Sequence, residues 1–171
     1  MANKTDKLIV SEINNKLFVI PYYQRGYRWT EKNVKKLLND LLLFANAEND
    51  DTEYCLQPIV LQKISNESYL HVAHEDDSVI RVVDGQQRLT TLAIILKKLS
   101  IPTTWDIYYD SEKKNLSEIL DVCVKNNSIN DYFRNEVSDA VDEFISNNEV
   151  REALVNLLGC PVNGSKFRLL F

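Results

Sequence analysis

The 171-residue sequence carries a formal net charge of −5, with 44% hydrophobic and 26% charged residues and only four glycines and four prolines. That composition suits one substantial core, or a core with a helical appendage, and excludes a loop-dominated or disordered chain. The charge is uneven: residues 1–100 hold 13 basic and 13 acidic side chains, residues 101–171 hold 7 and 12, a balance that argues against broad nucleic-acid binding but leaves room for a local anion site.

Cys55, Cys123 and Cys160 form no CxxC pair, which fits a reducing compartment rather than a disulfide framework. The first residues lack the apolar stretch of a signal peptide, and the run Leu41–Ala45 is far too short to span a bilayer. A soluble cytoplasmic protein is expected.

In chain order, Thr5 is placed to cap a short helix carrying Leu8, Ile9 and Ile13. Leu17–Ile20 reads as a strand ended by Pro21. After an aromatic, arginine-bearing stretch, Thr30 caps a helix whose Val34, Leu37, Leu38, Leu41, Leu42 and Ala45 share one face. Three strands follow, around Cys55–Lys63, Tyr69–Val72 and Val79–Val83, with turns at Asn66 and at residues 75–77. Cys55 is expected to be buried beside the first of these strands. A helix begins directly after Asp84-Gly85, keeps Leu89, Leu92, Ala93, Leu96 and Leu99 on one face, and is stopped by Pro102. Thr104–Tyr109 reads as a further strand. Beyond Asp110 the pattern turns helical, with candidate helices around Leu116–Cys123, around Ile129–Ile145 (capped by Asn127 or Ser128) and over 149–158, the last closed by Gly159. Lys166–Phe171 looks like a strand just beginning, so the chain is expected to be part of something longer. The expected fold class is α/β (α+β): a mixed-sheet domain over residues 1–110, then a helical segment over 111–171.

Two segments carry candidate chemistry. In Asp84-Gly85-Gln86-Gln87-Arg88 a strand meets a helix, Gly85 permits a tight turn or close ligand approach, and the helix start favours an anion. Arg88 suits phosphate. Asp84 can orient Arg88, cap the helix or hold Mg²⁺. The same residues also read as ordinary capping, and on this segment alone that reading is slightly ahead. The second segment, Ile20–Trp29, could contact phosphate through Arg25 and Arg28 and stack a base on its aromatics. Against that, Tyr22, Tyr27 and Trp29 read as packing anchors with the arginine stems laid over them; the two readings are even for Gln24 and Arg25. His71 and His74 read as surface histidines rather than a metal pair, because positions three apart on a strand face opposite ways. The acidic residues after Asp131 read as a solvated helix face.

Taken together, IPYYQRGYRW at 20–29 and VDGQQRLTTL at 83–92 resemble the paired motifs of the bacterial DGQQR domain family of GmrSD-type restriction proteins, itself related to the ParB and sulfiredoxin fold, and the intervening Gln57-Pro58-Ile59-Val60-Leu61 resembles the corresponding strand of ParB proteins. The resemblance covers roughly residues 5–100. It implies a nucleotide pocket in which Asp84, Gly85, Gln86, Gln87, Arg88 and Thr90 face the phosphates, with Gln24, Arg25 and Arg28 on the other side. It further implies a nucleoside triphosphate of unspecified base as ligand and Mg²⁺ held at Asp84, with Asp84 and Gln87 as the catalytic candidates if the triphosphate is hydrolysed. DNA would be reached through the full-length protein, with no membrane partner; oligomeric state stays open. Family relatives often cut DNA with a separate carboxy-terminal nuclease domain, and no HNH-like motif occurs here. A nucleotide-binding regulatory domain of a restriction or defence system therefore leads. A ParB-like nuclease and a non-enzymatic interaction module are the alternatives.

Overall fold

The computed structural model describes residues 6–47, 53–75, 77–118, 137–159 and 167–171. In chain order its elements are β1 (Lys7–Leu8), β2 (Asn14–Ile20), α1 (Glu31–Ala45), β3 (Tyr54–Leu56), β4 (Val60–Lys63), β5 (Ser78–Asp84), α2 (Gln86–Lys98), β6 (Thr104–Tyr109), β7 (Lys114–Asn115), α3 (Asp139–Phe144), α4 (Asn148–Gly159) and β8 (Phe167–Leu170). Short 3₁₀ turns occupy Val10–Glu12 and Asn66–Tyr69. The expected mixed α/β class is observed.

The larger sheet runs in the order β4-β5-β2-β6-β7. β2 is its centre, parallel to both β5 and β6, and β4 and β7 close the edges antiparallel. Central parallel strands are covered on both faces, so their sequences read as apolar runs. Here Phe18, Ile20, Ile80, Val82, Ile107 and Tyr109 join the main core with α1 and α2, while Leu17, Val19, Val79 and Tyr108 form a smaller cluster with Ile64, Tyr69, Val72 and Ala73 on the opposite face. β1, β8 and β3 make a second sheet, with β8 between its partners.

The main core continues past residue 110: Val137, Val141, Leu154, Leu157, Phe167 and Leu169 are buried in it with Leu38 and Phe18. Lys35 of α1 pairs with Glu143 at 2.7 Å and Lys98 of α2 with Asp142 at 2.5 Å, tying α3 across both earlier helices. The acidic side chains Asp139, Asp142, Glu143, Glu149 and Glu152 are exposed, as are His71 and His74.

Several expectations need correction. The first helix is a two-residue strand and a 3₁₀ turn, because Lys7–Leu8 pair with β8. The run 55–63 is two strands in different sheets, interrupted at Gln57-Pro58-Ile59. Tyr69–Val72 is no strand: Val72 and Ala73 both donate their N–H to the Tyr69 carbonyl, at 3.0 and 2.8 Å, so the alternation of apolar residues belongs to a turn laid on the sheet. Asn66 holds that excursion to β5, donating to the Asp77 carbonyl and accepting from Val79 N–H. α2 ends at Lys98, before Pro102 can act: Ser100 takes φ 60°, with Ser100 and Ile101 N–H bonded to the carbonyls of Lys97 and Leu96, a Schellman stop built on serine. Cys55 is exposed. Thr5, Asn127, Ser128 and most of the expected helices between 119 and 136 lie outside the described residues.

Candidate functional site

Parallel strands that flank one another end at one edge, and open α/β sheets place ligand sites outside such carboxyl ends. At this edge β2 delivers Pro21 and the 22–29 loop, and β5 delivers Asp84 and the start of α2. Gly85 caps α2 with φ 87°, a left-handed conformation that suits glycine. A Cβ there would also stand 3.0 Å from the Ile59 Cα and 3.2 Å from the Arg88 Nη2. The Asp84 Oδ1 accepts from Gly85 N–H at 2.7 Å. The helical ladder opens with Leu89 N–H on the Gly85 carbonyl, so the first-turn N–H groups of Gln86, Gln87 and Arg88 precede any helical acceptor.

The side chains of this turn bind the neighbouring segments. The Gln86 amide donates to the Arg25 carbonyl. Gln87 makes three bonds to the same loop: its Oε1 accepts from Arg28 N–H (2.7 Å) and Trp29 N–H (3.2 Å), and its Nε2 donates to the Gly26 carbonyl (3.3 Å). Gln24 answers from the loop, donating to the Val82 and Val83 carbonyls at 2.9 and 3.1 Å. Arg88 turns the other way, with Nη1 to Gln57 Oε1 (3.1 Å) and Nη2 to the Pro58 carbonyl (2.6 Å). Buried atoms Gln86 Oε1 and Arg88 Nε have no hydrogen-bond partner among the described residues.

The expected site residues are therefore sorted by the structure. Gln24, the Arg25 and Arg28 backbone, Asp84, Gly85, Gln86, Gln87 and Arg88 meet around the start of α2, and Arg25 and Arg28 are exposed. Thr90 does not join them: it is fully buried and its hydroxyl pairs with the Tyr109 hydroxyl at 2.6 Å, whose phenol burial pushes strongly up. Gln87 Oε1 is fully engaged, because an amide oxygen has two lone pairs and both are occupied by backbone donors. Tyr27 is an anchor, buried with its hydroxyl 2.7 Å from Thr91 Oγ1, which in turn donates to the Gln87 carbonyl.

The sequence marked Gln57-Pro58-Ile59 as a motif segment but did not show that it receives Arg88 and closes on Gly85. The signal was a proline inside an apparent strand, where ladder pairing must break. Asp84 stands without companions suited to a metal cage: no group of three or more His, Cys, Asp or Glu side chains gathers among the described residues. A cavity of about 670 Å³ lies at the other end of the sheet, bordered by Asn15, Lys97, Trp105, Asp106 and Ser117, and none of the motif residues lines it. No helix of the described residues is long and apolar enough to cross a membrane.

Comparison with known proteins agrees with the motif reading. The family described as GmrSD restriction endonuclease, N-terminal domain, matches residues 7–165. No curated protein matches the chain.

Proposed function

The chain belongs to the GmrSD restriction endonuclease N-terminal domain family, and on that premise we propose that it is the nucleotide-binding domain of a cytoplasmic restriction protein acting on foreign or modified DNA. A role in restriction is supported by the family itself. The nucleotide reading is carried by one observation: three sequence-distant segments are hydrogen-bonded around the first turn of α2, where a left-handed glycine and first-turn N–H groups meet the backbone of the loop that carries Arg25 and Arg28. A helix start offers N–H donors and a positive dipole end to an anion, and guanidinium forks complement phosphate oxygens.

Asp84 fits a single-carboxylate Mg²⁺ contact, since one of its oxygens takes Gly85 N–H and the other remains free to bind an ion shared with phosphates. Such an ion would neutralise phosphate charge. Gln86 and Gln87 hold the loop that presents Arg25 and Arg28. DNA contact and strand cleavage are assigned to the full-length protein.

The test is calorimetric titration of the chain with each of the four nucleoside triphosphates and Mg²⁺. Arg25→Ala removes an exposed cation and should weaken binding roughly tenfold to a hundredfold, the range expected of a charged hydrogen bond, with the thermal midpoint unchanged. Arg88→Ala should lower both affinity and stability. A wild-type chain that binds none of the four would sink the reading.

A further inference from the structure

The 21–29 loop treats its aromatics in two ways. Tyr27 is 5% exposed and bonded to Thr91, whereas Tyr22 and Tyr23 are 73% and 65% exposed. The free pair is not on a loose tip. Gln24 N–H closes a turn on the Pro21 carbonyl at 3.0 Å, Pro21 is buried, and the Gln24 side chain ties the turn to the end of β5 through Val82 and Val83. The two rings stand 5.6 Å apart at 80°, forming a right-angled aromatic corner. Two residues further on, at most about 7 Å of chain, the Arg25 carbonyl is held by Gln86 in the first turn of α2. The corner therefore sits close in the chain to the first turn of α2, on a backbone fixed from both sides.

We infer that Tyr22 and Tyr23 form the base-binding part of the nucleotide site, one ring stacking on the face of an aromatic base and the other meeting its edge. This rests on the nucleotide reading above. Every base has a π-face, so the corner supplies affinity for bases in general, and the exposed Arg25 and Arg28 guanidinia keep the approach cationic. Ring faces at right angles favour one planar ligand held at its face and edge over two stacked ones. A flat aromatic system carrying phosphates thus matches the corner and the helix start together. Such chemistry is offered by a free nucleotide or by a nucleic-acid strand; the single turn of helix and single ring pair fit the free nucleotide.

The experiment titrates the whole chain, with Mg²⁺, against nucleoside triphosphates, inorganic triphosphate and a short single-stranded oligonucleotide. Wild type, Tyr22→Ala, Tyr23→Ala, Tyr22→Phe and Tyr23→Phe are compared. Each alanine should weaken the best nucleoside triphosphate roughly tenfold, as expected for lost base stacking, while both phenylalanines retain it. Inorganic triphosphate should bind wild type more weakly than the nucleotide and be indifferent to all four substitutions. The thermal midpoints should match, because the rings are exposed. A wild type that binds inorganic triphosphate as well as a nucleotide has no base subsite, and the inference fails while the anion site stands. Alanine variants that bind like wild type, or that lose inorganic triphosphate equally, overturn it too. Preference for the oligonucleotide, lost in the same variants, would reassign the rings to a nucleic-acid strand. Failure of wild type to bind any nucleotide removes the underlying reading and this one with it.

Discussion

At single residues, the environment decides between roles that the side chain alone leaves open. Gly85 combines φ 87° with an Ile59 backbone atom 3.0 Å from where a Cβ would lie. Gly85→Ala should therefore cost about 1–3 kcal/mol, the range for backbone strain at such positions, read as a lower urea midpoint with an unchanged slope. Asp106 offers a pH test. Burial raises its carboxyl above the ordinary 3.8, outweighing the hydrogen bonds from Ser117 and Ile107 that pull it down. A raised folded value means that the native state holds the proton more tightly than the unfolded chain, so this group's contribution to stability is greatest below about 3.8. It declines as pH rises through the folded value. In Asp106→Asn that decline is absent, and its thermal midpoint should gain on wild type as pH increases across that window. An advantage that does not change with pH would sink the assignment. Residue types suited to phosphate were legible in the sequence at Arg25, Arg28 and Arg88; their exposure and partners were not. Arg88 and Gln87 are engaged by carbonyls and amides of segments at least 30 and 58 positions away, respectively, and no local pattern announces such partners.

Between elements, the join that matters is α2 against the 22–29 loop. Gln87 spans it with three hydrogen bonds, two of them to backbone N–H groups. Gln87→Ala strands those donors, at about 1–3 kcal/mol for groups left unsatisfied in a partly buried place, and the effect should be local. Hydrogen exchange at the Arg28 and Trp29 amides should accelerate, while amides in β2 keep their protection. Gln87→Glu retains the acceptor oxygens and should restore most of that protection, although it loses the donor to Gly26. If the alanine variant leaves the Arg28 and Trp29 amides as protected as before, the clamp is not holding the loop. The strands β2, β5 and β6 and the helices α1 and α2 were legible because their apolar residues are periodic and flanked by clear stops. Tyr69–Val72 misled because a turn packed on a sheet also alternates apolar residues. The stop of α2 misled because Ser100 adopts a left-handed conformation that ends the helix ahead of the expected Pro102.

Across the whole molecule, the question is whether residue 110 divides two units. A helical appendage would leave the sheet domain's core complete without it. Yet α1 buries Val34, Leu37, Leu38 and Leu41 in the same cluster as Val137, Val141, Leu154 and Leu157. β8 supplies the strand between β1 and β3, and Phe167 lies 1% exposed with its ring stacked on Tyr54 at 5.8 Å. Removing everything after Asp110 would bare that face of α1 and leave β1 and β3 with no partner in their sheet. Domains of this size are stable by only about 5–15 kcal/mol, and deletion of a single fully buried phenylalanine side chain costs about 3–5 kcal/mol. We expect Phe167→Ala to lower stability by that amount although it lies far outside the DGQQR segment in sequence. The fragment 1–110 should show no cooperative thermal transition, whereas the intact chain unfolds in one, with the fluorescence of Trp29 and Trp105 and far-ultraviolet circular dichroism coinciding. A fragment that unfolds cooperatively with the midpoint of the intact chain would support the two-part division and make the later helices an appendage. The outcome also bears on the site, since α1 follows directly from the loop that carries Arg25 and Arg28. If α1 needs α3 and α4 to stay packed, nucleotide affinity should be lost in the fragment even though every motif residue is still present.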